Sequence, residues 1–351
     1  MIHYSHVCLD TFGYQLPPRV ITSEEIEDRL SPLYDRLHLP RGRLELMSGI
    51  RERRLWPEGT RPSEAAIHAG EKVLANGNID AKDIECLIFS SVSRDMMEPA
   101  TASFVHNSLG LSSSCLIFDI SNACLGFLDG MVVLASMIEL GQVQNGLVVS
   151  GETAEELLES TLQSLRDDKT FTRKSIKPAF ASLTIGSGSM GLFMRRAEKG
   201  EKKPRLVCGA WKANTAHSDL CHGEKSGQNI TLMATNSEEL LTRGVETALL
   251  TWREFSANPG WQGDDIDHFF CHQVGSAHAR LLFEQLELAP EKNFATLATL
   301  GNVGSVSAPV TMAMAIEQGV FQPGKKGALL GIGSGINCMM LGVEWSGQRK
   351  G

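Results

Sequence analysis

The stretch CLIFDISNACLGFLDGMVVLASMIELGQVQNGLVVSGET, residues 115–153, reads as strand, helix, strand. Its first segment, CLIFDISNA at 115–123, is short and largely apolar, as a buried strand is. CLGFLDGMVVLASMIELGQV at 124–143 is long enough for an apolar helix, and NGLVVSGET then returns to strand character. Strands this apolar need cover on both faces, so the βαβ rhythm predicts a sheet between helix layers. Cys124 stands at the junction of strand and helix. A thiol there meets unpaired amides and the positive end of the helix dipole, which predicts a favoured thiolate and N–H groups free for an oxyanion. A small buried core cysteine fits the same position.

Working outward, VITSEEIEDR at 20–29 opens a helix with Thr-Ser and an acidic first turn. RPSEAAIHAGEKVLANGNI at 61–79 predicts another helix, with Pro62 near its start and an Asn-Gly stop, leading into the strand IECLIFSSV at 84–92. The pattern then recurs. IDHFFCHQV at 266–274 resembles IECLIFSSV at an offset of 182 residues, and VTMAMAIEQGVFQPGKKGALLGIGSG at 310–335 mirrors MVVLASMIELGQVQNGLVVSGE at 131–152. The shared order predicts an internal duplication, with halves near 1–190 and 205–351 joined by the charged stretch RRAEKGEKKPR at 195–205. Residues 155–178 have no counterpart in the repeat and are expected to form an inserted cap. Duplicated α/β units leave a cleft where their strand ends converge.

Composition narrows the function classes. The 351 residues carry a net charge of −8, which argues against a general nucleic-acid or anionic-membrane binder. There is no apolar run of about 18 residues, and the N-terminus has no secretory pattern, so a cytoplasmic protein without a membrane span is expected. Eight scattered cysteines with no CxxC pair read as free thiols rather than as a disulfide framework or a metal site.

Four further positions carry potential chemistry. His272 ends an apolar strand in the second half, where a neutral imidazole can donate a proton or a hydrogen bond, or merely serve structure. His278, six residues on, reads as an ordinary surface or core residue. Asn302 lies in LGNVGSVSAP, a glycine-rich turn that lets the backbone approach a ligand and in which an asparagine also serves as a turn cap. Glu98, in SVSRDMMEPATAS, is either a solvent-facing turn residue or, if desolvated, a base. GIGSG at 331–335 lacks the spacing of a dinucleotide fingerprint. The methionine pairs at 96–97 and 339–340 read as core packing.

Cys124 in NACLGF, His272 in HQVGS, Asn302 in GNVGS and the late GIGSG resemble the Cys-His-Asn set and C-terminal glycine loop of beta-ketoacyl-ACP synthase III enzymes. The likeness spans essentially the whole chain. Through VSRDMMEPATAS, DISNACLGFLDGM, VVSGETA and LLGIGSGINC, the sequence is similar to the OleA-type branch. That resemblance implies the five-layered αβαβα thiolase fold with two mixed five-stranded sheets, a homodimer, and acyl-CoA or acyl-ACP as substrate with no permanently bound cofactor. It implies that Cys124 carries an acyl thioester, that His272 and Asn302 hold or activate the second thioester, and that the amides of Cys124 and Gly335 form an oxyanion hole. Glu98 matches the glutamate that reaches the neighbouring subunit's site and deprotonates the second acyl-CoA, giving a non-decarboxylative Claisen condensation to a 2-alkyl-3-ketoacid. The alternative is decarboxylative elongation with malonyl-ACP or malonyl-CoA. Acyl transfer to an alcohol or amine and a non-catalytic acyl-binding role are the remaining readings. In RLELMSGIRERR at 43–54, Arg43 and Met47 stand where synthase III enzymes place a Trp and an Arg around the CoA adenine, leaving Arg51, Arg53 and Arg54 as candidates for the CoA phosphates.

Overall fold

The computed structural model describes residues 1–225 and 231–347. The chain opens with β1 (Ile2–His3) and β2 (Val7–Gln15). A small antiparallel pair, β3 (Arg19–Thr22) and β4 (Glu52–Leu55), then encloses the short helices α1 (Ser23–Arg29), α2 (Ser31–Leu37) and α3 (Arg43–Ser48). Helix α4 (Pro62–Gly77) leads to β5 (Cys86–Ser90), α5 (Thr101–Leu109), β6 (Leu116–Ile120), α6 (Gly126–Glu139), β7 (Asn145–Glu152), α7 (Glu155–Asp167) and β8 (Gly188–Arg196). The rest runs through β9 (Pro204–Ala213), the antiparallel pair β10 (Cys221–Lys225) and β11 (Thr231–Thr235), α8 (Ser237–Ser256), β12 (His268–Cys271), α9 (Ser276–Gln285), α10 (Leu297–Leu300), α11 (Ser307–Glu317), β13 (Lys326–Gly333) and β14 (Asn337–Trp345). Local signals in the sequence place several of these ends. Thr22 caps α1 by accepting the Glu25 N–H at 3.0 Å, and Asn78 closes α4 in the left-handed conformation.

The strands follow the order β6-β5-β7-β8-β2-β9-β14-β13-β12, with β1 added on β9. β5 pairs in parallel with β6 and β7, while β7–β8 and β8–β2 are antiparallel. The second group repeats this arrangement, with β12–β13 parallel and β13–β14 and β14–β9 antiparallel. It has four regular strands rather than five; the place beside β12 is taken by an isolated parallel bridge between Phe269 and Asn293. The two groups are stitched into one ten-stranded sheet by the single pair Cys8 with Arg205 between β2 and β9.

Helices α6 and α11 lie at the centre. In α6, Phe127, Leu128, Met131, Leu134, Ala135 and Ile138 recur at helical spacing and are buried in one cluster with Val310, Met312 and Ala315 of α11 and with Ile88, Val148, Leu329 and Leu341 from both strand groups. Outer clusters sit under α4 and α5 on one side and under α8 and α9 on the other, which gives the layers αβαβα. A further cluster joins Ile26 and Leu30 to Leu158, Leu162 and Leu165 of α7, so α7 covers α1 and α2 at the edge of the central cleft.

Two departures from the sequence expectations have simple causes. Met339 and Met340 are buried as expected, but Met97 is 96% exposed and Met96 is also exposed, because they lie on the irregular segment between β5 and α5. Arg53 is wholly buried. The two-residue period of β4 turns it inward with Leu55, where its guanidinium donates to Ser23 Oγ and Leu183 O, each at 3.1 Å. Burial lowers its pKa to about 10, and an arginine so enclosed does not meet a CoA phosphate.

Candidate active site

β6 ends in a sharp turn. Ala123 has φ 46°, a left-handed conformation that costs a non-glycine residue on the order of 1–3 kcal/mol, and the turn is closed by the Leu125 N–H to Asn122 O bond at 2.9 Å. Cys124 is thereby lifted out of the strand two residues before α6 begins. The opposite wall accommodates it with alternate glycines. A Cβ on Gly331 would lie 2.4 Å from Leu125, and one on Gly333 would lie 3.1 Å from Leu125 and 3.7 Å from the Cys124 nitrogen. GIGSG thus exists for close approach between the end of β13 and the cysteine turn. Asn337 locks the contact by donating to Asn122 Oδ1 at 3.2 Å and Ser334 O at 3.3 Å.

Cys124 opens into a cavity of about 360 Å³ that also receives His272, Asn302, His278, Glu152 and Cys221. Gly333 and Ser334 line it, whereas Gly335, at φ 125°, is set back against Asn337. Its remaining walls are mainly apolar: Leu44 and Met47 of α3, Leu157 of α7, Phe180 and Ala181, Met233 of β11, and Leu240 and Leu241 of α8. The unmatched 155–178 region therefore contributes a wall of the site. Glu98 is exposed and outside this cavity in its own chain. Arg51 is exposed, and Arg54 donates to Pro17 O at 3.1 Å.

The electrostatics reverse the expectation of a thiolate. Burial, with added repulsion from Glu152 and Cys221, pushes the Cys124 thiol up to about 12, so the resting group is S–H. His272 is buried, and burial together with the nearby His278 lowers its pKa to about 3, while a backbone hydrogen bond with Gly304 pulls the other way. Its Nδ1 is buried without a hydrogen-bond partner among the described residues, a deficit that a substrate group can fill. Asn302 Oδ1 accepts the Gly304 N–H at 3.1 Å, which leaves its NH₂ end as donor. A neutral thiol, a neutral imidazole and an amide donor around an apolar cavity suit thioester exchange, with the proton moving from sulfur to imidazole as the sulfur attacks.

Sequence reading missed two residues here. His278 faces the cavity from the first turn of α9, and burial lowers its pKa to about 4. The only available signal was its six-residue spacing from His272. Its folded pKa lies below the unfolded value near 6.5, so between those values the unfolded chain binds the extra proton and acid favours unfolding. His278→Gln should remove this effect. In denaturant titrations the wild type is expected to lose about 1.4 kcal/mol per pH unit relative to the variant as pH falls from about 6 to 4.5. A constant difference across that range would refute it. Glu152, the other missed residue, ends β7 and is 4% exposed.

Two family descriptions match the chain: 3-oxoacyl-[acyl-carrier-protein] synthase III over residues 118–170 and the C-terminal part of the same family over 257–345. The acyl-CoA:acyl-CoA alkyltransferase of Shewanella oneidensis is 40% identical, over 97% of this chain and 99% of that protein. The protein of the same name from Xanthomonas campestris is 38% identical, over 93% and 95%. A cysteine-to-serine variant of Xanthomonas campestris OleA, crystallised with lauric acid and lauroyl-CoA, superposes with a TM-score of 0.92 at 36% identity, covering 97% of this chain and all of the other.

Proposed function

The chain belongs to the OleA-type acyl-CoA:acyl-CoA alkyltransferases, condensing enzymes of the 3-oxoacyl-ACP synthase III family, and we propose that it joins two fatty acyl-CoA molecules head to head without decarboxylation. The observation that carries the reading is the convergence of Cys124, His272 and Asn302 on one apolar-walled cavity. The Cys124 sulfur attacks the first acyl-CoA carbonyl, its proton passes to His272, and CoA departs with that proton as the free thiol. The oxyanion formed on the way is met by the N–H of Cys124, with the N–H of Gly335, one residue behind the cavity-lining Ser334, as its companion donor.

The second acyl-CoA then loses an α proton to Glu98 of a neighbouring subunit, while His272 and Asn302 donate to the enolate oxygen. The carbanion attacks the Cys124 thioester, a carbon–carbon bond forms, and the sulfur leaves; the proton that Glu98 removed returns to the sulfur, which restores both groups. Hydrolysis of the remaining CoA thioester gives the 2-alkyl-3-ketoacid. A homodimer is supported by the surface around Glu98. β6 is an edge strand with Leu116 exposed, and Val92 and Met97 are exposed on the loop that carries Glu98. An apolar strand edge of this kind calls for a partner. Arg51, and Arg54 by rearrangement, are the basic groups left for CoA phosphates.

No described helix is long and apolar enough to cross a membrane. In the proposed reaction the substrates arrive as CoA or carrier-protein thioesters, with the alkyl chain against Leu157, Phe180 and Leu240. Mass spectrometry after incubation with one long-chain acyl-CoA is the test. A ketoacid containing both chains, formed without malonyl-CoA, is expected. A product two carbons longer, made only with a malonyl donor and with release of CO₂, would establish decarboxylative elongation instead.

A further inference from the structure

Glu152 lies where three segments of the site meet. One of its carboxylate oxygens accepts the N–H of Val92 at 3.1 Å and the N–H of Ser305 at 3.0 Å, and it also accepts the Ser305 hydroxyl. Val92 begins the run from β5 toward Glu98, and Ser305 follows Asn302 in the turn before α11. Ser305 is tied further to Ser150 Oγ at 3.1 Å and Ser90 O at 3.4 Å, while Trp56 Nε1 donates to the Glu152 carbonyl at 3.1 Å. Gly304 has φ 53°, and a Cβ there would lie 2.9 Å from the Glu152 carboxyl carbon. The Asn302 turn is shaped around this side chain. Burial raises the Glu152 pKa above the ordinary carboxylate value, and the three donors on one oxygen work against it by favouring the ionised form.

We propose that Glu152 is a positioning residue of the condensation: it clamps the Asn302 turn and the segment leading to Glu98 onto the end of β7, and turns its negative charge toward the cavity that holds Cys124. The inference rests on Cys124 as the acyl carrier. Its consequence is a single negative charge in the cavity rather than two. Cys124 faces Glu152 from β7 and Cys221 from β10, with the uncharged His272 and His278 across the cavity. The thiol therefore keeps its proton until an acyl carbonyl is in place, and the proton then goes to His272 rather than to solvent.

The test compares intact wild-type protein with Glu152→Gln and Glu152→Asp. Alkylation of Cys124 by iodoacetamide is followed by peptide mass spectrometry across pH, and condensation is assayed in parallel. Glu152→Gln removes the charge while keeping the shape. Its Cys124 is expected to alkylate about tenfold faster near pH 8, with the whole profile moved to lower pH, while condensation falls at least about tenfold. Glu152→Asp keeps the charge and the wild-type alkylation profile but loses condensation, because the shorter side chain does not span both amides.

A folded Glu152→Gln protein with an unchanged alkylation profile, or with full condensation, overturns the proposal. If that variant does not fold, Ser305→Ala removes one tie to the turn. Condensation should then fall several-fold with acylation of Cys124 retained, and unaltered condensation overturns the proposal equally. Alkylation reports the thiol itself, so absence of a ketoacid product would refute the head-to-head reaction without deciding this one.

Discussion

Cys124→Ala is expected to eliminate the covalent acyl-enzyme and reduce condensation on the order of ten-thousandfold, a loss typical of a removed nucleophile. The reason is positional. All eight cysteines are free, but Cys8, Cys86, Cys208, Cys271 and Cys338 are buried within the packed layers, where burial holds each thiol near 12, and none of the five lines the Cys124 cavity. Cys124 has a similarly unfavourable resting pKa, yet it opens on the cavity beside a neutral imidazole and a strand end shaped by Gly331 and Gly333. Its reactivity is therefore created by the bound substrate rather than by a standing thiolate. Intact-protein mass spectrometry after exposure to an acyl-CoA decides the matter. The wild type should gain one acyl mass at Cys124, and Cys124→Ala none. Because Cys221 shares the cavity, peptide mapping is essential. An acyl group on Cys221 in the variant would move the nucleophile to β10 and refute this assignment.

Glu98→Gln is the second large effect. It should lower condensation by about a hundredfold to ten-thousandfold, the usual range for a general base, while leaving acylation of Cys124 intact. In its own chain Glu98 is exposed beside Met97 and outside the cavity, and the proposed reaction takes this glutamate from a neighbouring subunit. Mixing the two inactive variants under conditions of subunit exchange tests that directly. A heterodimer of Cys124→Ala with Glu98→Gln has one site in which an intact Cys124 meets an intact Glu98 from the other chain. Random mixing should therefore restore about a quarter of wild-type activity. If Glu98 served its own chain, every site in the mixture would be defective and nothing would be recovered. Undiminished condensation by Glu98→Gln alone would remove the base from the mechanism and favour a malonyl donor.

Much of the architecture was legible because it depends on local pattern. Apolar runs marked β5, β6, β7, β12 and β13, a long apolar segment marked α6, and the recurrence of these patterns in the same order pointed to related halves. The same reading located Cys124, His272 and Asn302 at strand ends and turns, where a duplicated sheet presents its cleft. By itself, then, the sequence determined the order of elements and the chemical character of the central residues, since both follow from periodicity and from side-chain type.

Only the tertiary structure decided the protonation and partnership of those residues. Thiolate character was expected from a helix end, but burial in the cavity, with the carboxylate of Glu152 nearby, raises the Cys124 pKa and favours the thiol. Arg53 looked like one of three equivalent basic residues until β4 turned it into the interior. Met96 and Met97 looked like core until the segment between β5 and α5 placed them in solvent, and His278 and Glu152 looked ordinary until α9 and β7 aimed them at the same cavity as Cys124. Electrostatic energies depend on distance and burial between residues far apart in the chain, and those two quantities come into being only when the halves pack together.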